Sequence, residues 1–205
     1  MQKKGGSPTR IVIEVPMKFC FYLFAFSLFA DAQPDTFSKF PNKVFVETGS
    51  SWGIGIDMAL NAGFKTIYSI EFSKDLFNHC AKRFESRPEV ILFWGDSGPL
   101  LYDIIKEIDE PITFWLDAHT AENGPEWPKH SPIMEELEAI KRHPIKTHTI
   151  LIDDVRLFGT ELFDYVILPE ITNKILEINP DYEISYTAGY QPNDVLVAKI
   201  KGSGY

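Results

Sequence analysis

The chain of 205 residues holds enough sequence for one well-buried core and excludes two ordinary domains, which run about 100–200 residues each. Its 44% apolar and 24% charged residues exclude a disordered chain and a membrane bundle. Twenty basic against twenty-nine acidic side chains leave a net charge of −9 with no clustered basic run, so no nucleic acid is expected as a partner.

Residues 1–41 read as an N-terminal extension. Lys3, Lys4 and Arg10 precede Met17-Lys18, which opens a run from Phe19 to Ala30 in which only Ser27 is clearly polar. The run is shorter than the roughly 20 residues a spanning helix requires. Its basic flank, its length and the ending Ala30-Asp31-Ala32 have the form of a secretory signal peptide or membrane anchor over 17–32; the rival reading is a helix packed on the domain. On the first reading the chain is exported or meets a membrane, and on the second it stays in the cytoplasm. Pro34 to Pro41 reads as a linker, and the folded domain is expected over 42–205. Cys20 and Cys80 have neither metal-ligand spacing nor the makings of a disulfide framework.

From Lys43 the sequence alternates strand-like and helix-period runs, the pattern of a parallel sheet with crossover helices. Strands are expected at Val44–Val46, Thr66–Ile70, Val90–Phe93, Thr113–Leu116 and Thr149–Ile152. Ser73 caps an expected helix that buries Leu76, Phe77, Cys80 and Phe84, and Leu100, Leu101, Ile104, Ile105 and Ile108 form a second stripe. Ser131-Pro132 signals a helix start ahead of Ile133, Met134, Leu137 and Ile140. A further helix is expected from Leu162 to Ile178. Tyr182–Thr187 and Asp194–Ile200 then read as a hairpin joined by residues 188–193, an antiparallel edge.

Chemistry-bearing residues gather at the ends of these strands. Glu47-Thr48-Gly49-Ser50-Ser51-Trp52-Gly53-Ile54-Gly55 is a glycine-rich turn entering a helix, where backbone amides can face a ligand or simply close a tight turn. Glu71 ends the second strand eighteen positions past Gly53, where a carboxylate accepts both hydroxyls of a ribose or caps the helix beside Ser73. Asp96-Ser97 follows the third strand, placed either for a ligand or as a helix cap. Asp117 follows the fourth strand and Asp153-Asp154 the fifth. Adjacent strand ends lie side by side, so these three carboxylates can converge on a hard divalent cation such as Mg2+; the rival reading is helix capping with an Arg156 ion pair. His119 is suited to act as general base for a hydroxyl, or as a ligand or hydrogen-bonder beside a metal. Thr120 to His130 has the length and turn residues of a lid or acceptor loop.

The strand-exit pattern Glu47-x-Gly49-x-Ser51-x-Gly53, Glu71 closing the second strand, Asp96 closing the third and the terminal hairpin together resemble class I S-adenosylmethionine-dependent methyltransferases over about residues 42–201. The resemblance implies an α/β Rossmann-like three-layer sandwich: a seven-stranded, mostly parallel sheet with a C-terminal antiparallel hairpin. It also implies S-adenosylmethionine as methyl donor, with Glu47 and Gly49 on its methionine portion, Gly53 at the close backbone approach, Glu71 on the ribose, and Asp96 with Ser97 at the adenine. Ser51 stands where the family has its middle glycine. Asp117, Asp153 and Asp154 resemble the magnesium ligands of metal-dependent O-methyltransferases of the catechol and macrolide-sugar types. That likeness implies methyl transfer to a hydroxyl of a small-molecule acceptor, with Asp117 and His119 catalytic and Asp117 also bordering the donor.

Three rivals compete. Gly49-Ser50-Ser51-Trp52-Gly53 fits a hydrolase nucleophile elbow with Ser51 attacking, but no histidine follows His148 to complete the order of acid and then base. A nicotinamide oxidoreductase lacks its third glycine, since position 58 is Met58. The non-enzymatic reading is a methyltransferase-like domain that binds a nucleoside or acts by interaction.

Overall fold

β-branched and aromatic runs bounded by Gly, Pro and Asn form strands where the sequence places them, because both faces of a covered parallel sheet demand apolar side chains. A computed structural model of the chain describes residues 35–120 and 131–201; the apolar stretch over 17–32 and nearly all of the loop after Thr120 lie outside the described residues. The strands are β1 (Val44–Thr48), β2 (Thr66–Glu71), β3 (Val90–Trp94), β4 (Ile112–Leu116), β5 (Thr149–Ile152), β6 (Tyr182–Thr187) and β7 (Val195–Ile200). The helices among the described residues are α1 (Ile54–Ala62), α2 (Lys74–Arg83), α3 (Ser97–Ile105), α4 (Ile133–Arg142) and α5 (Leu168–Ile178).

The sheet has the order β3-β2-β1-β4-β5-β7-β6. Strands β1 to β5 pair in parallel, and β7 runs antiparallel between β5 and β6. The winding reverses between β1 and β4, which opens a crevice at their carboxyl ends where ligands of such sheets bind. Strand alternation sends Val44 and Val46 to a core shared with Leu101, Ile105, Leu137, Ile140, Ile171 and Ile175 of α3, α4 and α5. Phe45, Trp115 and Leu151 face the opposite layer with Ile56, Ala59 and Cys80 of α1 and α2. The result is a three-layer sandwich, with each fully buried Ile, Leu or Phe contributing about 1.5–3 kcal/mol.

Helix starts follow their caps. The Ser73 hydroxyl accepts from Leu76 N at 3.5 Å, and Asp96 Oδ1 accepts from Gly98 N at 3.0 Å. Ser131 Oγ accepts from Ile133 N at 3.4 Å, and Lys141 and Arg142 complement the carbonyl end of α4.

Two expectations are corrected. The helix expected from Leu162 begins at Leu168: residues 161–163 form a single 3-10 turn, and Asp164 and Tyr165 take positive φ, which ends that turn. Pro169 marks the true start, and Glu170 reaches back to accept from Ile167 N at 2.9 Å. The expected linker over 34–41 contains a packed 3-10 turn, Phe37–Lys39. Phe37 is 1% exposed and sets its ring 4.8 Å from Phe45 and 5.0 Å from Trp115, so the folded unit includes residues that the flanking prolines disguise. No helix among the described residues is long and apolar enough to cross a membrane.

Candidate active site

The turn after β1 is held by conformations that glycine favours. Gly49 has φ +83°, and a Cβ there would stand 2.6 Å from the Asp117 carbonyl oxygen, so the exits of β1 and β4 touch only because the side chain is absent. Ser51, at the expected glycine position, adopts φ +47° and accepts a left-handed backbone that costs an L-residue about 1 kcal/mol. Its amide compensates by donating to Glu71 Oε2 at 2.8 Å, and its carbonyl accepts from Cys80 Sγ at 3.3 Å. Burial pushes the Cys80 thiol up to about 12, which keeps it a neutral donor.

Glu71 is 5% exposed and also accepts from Ser73 N at 2.7 Å through Oε1. Burial raises its pKa, and the Ser73 and Ser51 amides pull it part of the way back. The carboxylate, which the Phe72 amide also reaches, thus locks the glycine turn to the start of α2.

Two residues assigned to the donor face inward instead. Glu47 is 1% exposed; Ser69 Oγ donates to its Oε2 at 2.5 Å, and Ser69 shares a 2.5 Å hydrogen bond with Ser50 of the turn. A Cβ at Gly55 would lie 1.8 Å from Glu47 Oε1, so that glycine makes room for the acid. The structure places Glu47, expected on the methionine portion, beneath the turn. Ser97 likewise turns its hydroxyl inward, donating to Glu136 Oε1 at 2.5 Å, with both residues buried. Asp96 remains at the surface of the crevice as the cap of α3.

At the other half of the carboxyl edge, Asp117 follows β4 and Asp153-Asp154 follow β5. His119 Nε2 lies 2.7 Å from Asp154 Oδ2 and 3.8 Å from Asp117 Oδ1, and its Nδ1 lies 2.9 Å from Thr120 O. Asp154, at φ +60°, presents its second oxygen to Arg156 Nη1 at 2.5 Å. Arg156 also pairs with Asp194, whose Oδ1 accepts from Arg156 N at 3.0 Å.

The expected trio separates into two groups that share Asp154. Asp117, His119 and Asp154 offer ligand atoms within 4.8 Å of one another, and so do Asp153, Asp154 and Asp194. Asp153 is fully buried, accepts from the Asp154 amide at 2.9 Å, and groups with Asp154 and Asp194. Donor atoms at such spacing suit a hard cation bound at about 2.0–2.4 Å from each. The Asp117–His119–Asp154 group, which is partly exposed at Asp117 and His119, fits one better than the wholly buried second group.

Sequence reasoning missed Ser69, Gly55, Glu136 and the role of Asp194. Gly55 gave a signal as a third glycine in the turn, whereas Asp194 becomes a neighbour of β5 only because β7 inserts beside it. For the hydrolase rival, Ser51 sits on the β1 turn beside Glu71 while His119 pairs with Asp154 beyond β5; the nucleophile elbow does not assemble its triad.

No family model and no curated protein matches this sequence. Among solved structures the chain is similar to a methyltransferase from Geobacter sulfurreducens, with 15% identity and a TM-score of 0.57 over 93% of this chain and 90% of that one. It is similar to an O-methyltransferase from Bacillus cereus in complex with S-adenosylhomocysteine, with 14% identity and a TM-score of 0.56 over 92% and 94%. A third is the O-methyltransferase TomG of Streptomyces achromogenes in complex with S-adenosylmethionine, with 15% identity and a TM-score of 0.52 over 93% and 82%. The chain has the Rossmann-like fold of class I S-adenosylmethionine-dependent methyltransferases, with the C-terminal hairpin that the sequence pattern suggests.

Proposed function

We propose that the protein transfers the methyl group of S-adenosylmethionine to a hydroxyl oxygen of a small-molecule acceptor, with a divalent cation such as Mg2+ held by Asp117 and Asp154 beside His119. The observation that carries this reading is the pairing, along one sheet edge, of a glycine turn locked to Glu71 with a compact group at the ends of the next two strands. Bound there, the donor supplies an electrophilic methyl on a sulfonium, and the cation supplies a Lewis acid that lowers the pKa of a hydroxyl.

The chain's own residues do the rest. Gly49, Ser51 and Gly53 bring backbone against the donor, Glu71 accepts its ribose hydroxyls, and Asp96 borders the adenine. Asp117 stands between the two halves, since its carbonyl packs on Gly49 while its carboxylate faces His119. Asp154 and the Thr120 carbonyl hold the His119 ring at Nε2 and Nδ1, and Nε2 is the atom that takes up the hydroxyl proton beside Asp154. In-line attack then depends on orientation, which the adjoining strand ends fix on rigid backbone. Asp153 serves this reading as support for Asp154 rather than as a direct ligand.

Titration calorimetry of the full chain with S-adenosylmethionine, repeated with Glu71→Ala, tests the donor half. Saturable binding that weakens at least tenfold in the variant is expected; a folded wild type that takes up no donor sinks the reading. Methyl transfer to a panel of sugar and catechol hydroxyls, with Mg2+ and with chelator, tests the acceptor half. Equal turnover in both conditions would remove the metal from the proposal.

A further inference from the structure

Glu47 is a carboxyl group in a place that disfavours charge. It is 1% exposed, lies between Ser69 and Trp115 of the flanking strands, and is covered by Gly55 in the first turn of α1. The charged and titratable groups that face it are Asp57 on α1, Glu71 on β2 and Cys80 on α2. The two carboxylates repel a negative charge on Glu47, and the Cys80 thiol offers it no cation. Among the described residues its hydrogen-bond partner is Ser69, and from Ser69 the chain of hydrogen bonds runs on to Ser50.

Ser50 is the hub of the glycine turn. Its amide reaches the Ile70 carbonyl at 3.3 Å, its carbonyl accepts from Gly53 N at 2.7 Å, and its hydroxyl is buried against Ser69. A shift of Ser50 therefore moves both flanks of the turn, Gly49 and Gly53, together.

We propose that Glu47 is a positioning residue of the donor site: as an uncharged carboxylic acid it props the Gly49–Gly53 turn from beneath through Ser69 and Ser50, and its ionisation releases that prop. This rests on the methyl-donor reading for its functional consequence, but the prop itself is a property of the fold. Burial pushes Glu47 up to about 8, with repulsion from Glu71 and Asp57 adding to it and the Ser69 hydrogen bond opposing it. The acid therefore gives up its proton just above neutrality. An ionised Glu47 draws water or its neighbours inward, because a buried unpaired charge is costly. The turn and its bound donor loosen together.

Two measurements on the full chain test this. The first is the thermal midpoint of wild type and Glu47→Gln from pH 5 to pH 9.5, without donor. The folded pKa of Glu47 lies above its unfolded value, so its protonated form favours folding most at low pH, and that contribution is lost as pH rises through about 8. Glu47→Gln keeps an uncharged amide of the same shape, so its midpoint is expected to gain on wild type from pH 5 to about pH 8 and to hold that gain above it. Parallel profiles overturn the proposal.

The second measurement is S-adenosylmethionine affinity at pH 7 and pH 9.5, each compared between wild type and Glu47→Gln so that the ligand's own titration cancels. Wild type is expected to lose about tenfold more affinity than the variant over that interval. Ser69→Ala cuts the chain while sparing the acid, and is expected to weaken donor binding at pH 7 several-fold with no collapse of the fold. Full donor affinity in Ser69→Ala overturns the relay. If wild type binds no donor at any pH while the stability profiles diverge, the methyl-donor reading fails and the uncharged prop stands.

Discussion

His148 and Glu47 lie at opposite ends of one sheet, and burial keeps both uncharged, but by different means and with opposite consequences. At the amino ends of β4 and β5, His148 Nδ1 accepts from Ile112 N at 3.1 Å, and its Nε2 donates to His143 Nδ1 at 3.0 Å. His143 Nε2 in turn faces the Ile105 and Ile108 carbonyls at 3.1 and 3.0 Å, and its Nδ1 accepts from Ile145 N at 3.2 Å. Every ring nitrogen has a partner, so this cluster ties α3, α4 and β5 together and has nothing left to offer a ligand. Glu47, at the carboxyl end of β1, is held by Ser69 and faces other acids. One end of the sheet closes its polar groups on backbone. The other leaves carboxylates crowded against one another, which is where chemistry can be done.

The largest effect expected from this contrast is on turnover alone. Asp154→Asn keeps the shape at the end of β5 but removes the charge shared by His119 and Arg156. Methyl transfer is expected to fall about a thousandfold, roughly 4 kcal/mol of transition-state stabilisation, with donor affinity within about twofold of wild type. Rate measurements at saturating donor check it; retention of more than a tenth of the rate would dissolve the functional half of the comparison.

Next comes the acid limb of stability. Burial lowers His148 to about 3, so between its ordinary value near 6.5 and that point the unfolded chain binds a proton that the folded chain refuses. Stability from this group is complete above about pH 6.5 and is lost as pH falls, by roughly 3 kcal/mol down to pH 4. Denaturant unfolding of His148→Asn is expected to show a flatter acid limb, with a fixed cost of about 1–2 kcal/mol and unaltered turnover per folded molecule. A steep acid limb in the variant would place the sensitive group elsewhere.

Gly49→Ala attacks the seam between the two halves of the carboxyl edge. At φ +83° and with its Cβ aimed 2.6 Å from the Asp117 carbonyl, alanine is expected to cost about 2–3 kcal/mol and to weaken donor binding as the exits of β1 and β4 part. Gly63→Ala is the control, because a Cβ at Gly63 meets nothing within 4 Å despite a φ of +88°. A Gly49→Ala cost no larger than the control's would leave only the backbone term.

Most of the fold could be read from the chain because it follows from local rules. Strand period, caps at Ser73 and Asp96, and the Pro169 start of α5 are all written in neighbouring residues, and the helix expected from Leu162 ran past that last signal. Which carboxylates end strands was equally legible, since strand ends in a parallel sheet are adjacent by topology. What each carboxylate touches was not. The inward turn of Glu47 depends on Ser69, twenty-two residues away, and on the missing side chain of Gly55. The grouping of Asp153 and Asp154 with Asp194 depends on β7 carrying Asp194 to β5. Such contacts are long-range, and no local pattern encodes them.

The smallest expected effect concerns Ser51, the residue that departs from the glycine pattern. Its left-handed conformation costs about 1 kcal/mol in the folded state, which glycine would relieve, but glycine also gives the unfolded chain about 0.5–1 kcal/mol more entropy to lose. The two nearly cancel. The Ser51 amide that donates to Glu71 is backbone, so Ser51→Gly retains it. Stability within about 0.5 kcal/mol and unchanged donor affinity are therefore expected from urea unfolding and calorimetry. Loss of donor binding in Ser51→Gly would give the hydroxyl a direct contact with the ligand and make the serine a feature of recognition. Ser51→Val sharpens the test, since a β-branched side chain is poorly accommodated at positive φ; a loss of about 1–2 kcal/mol there, beside a neutral glycine, would assign the position to backbone geometry alone.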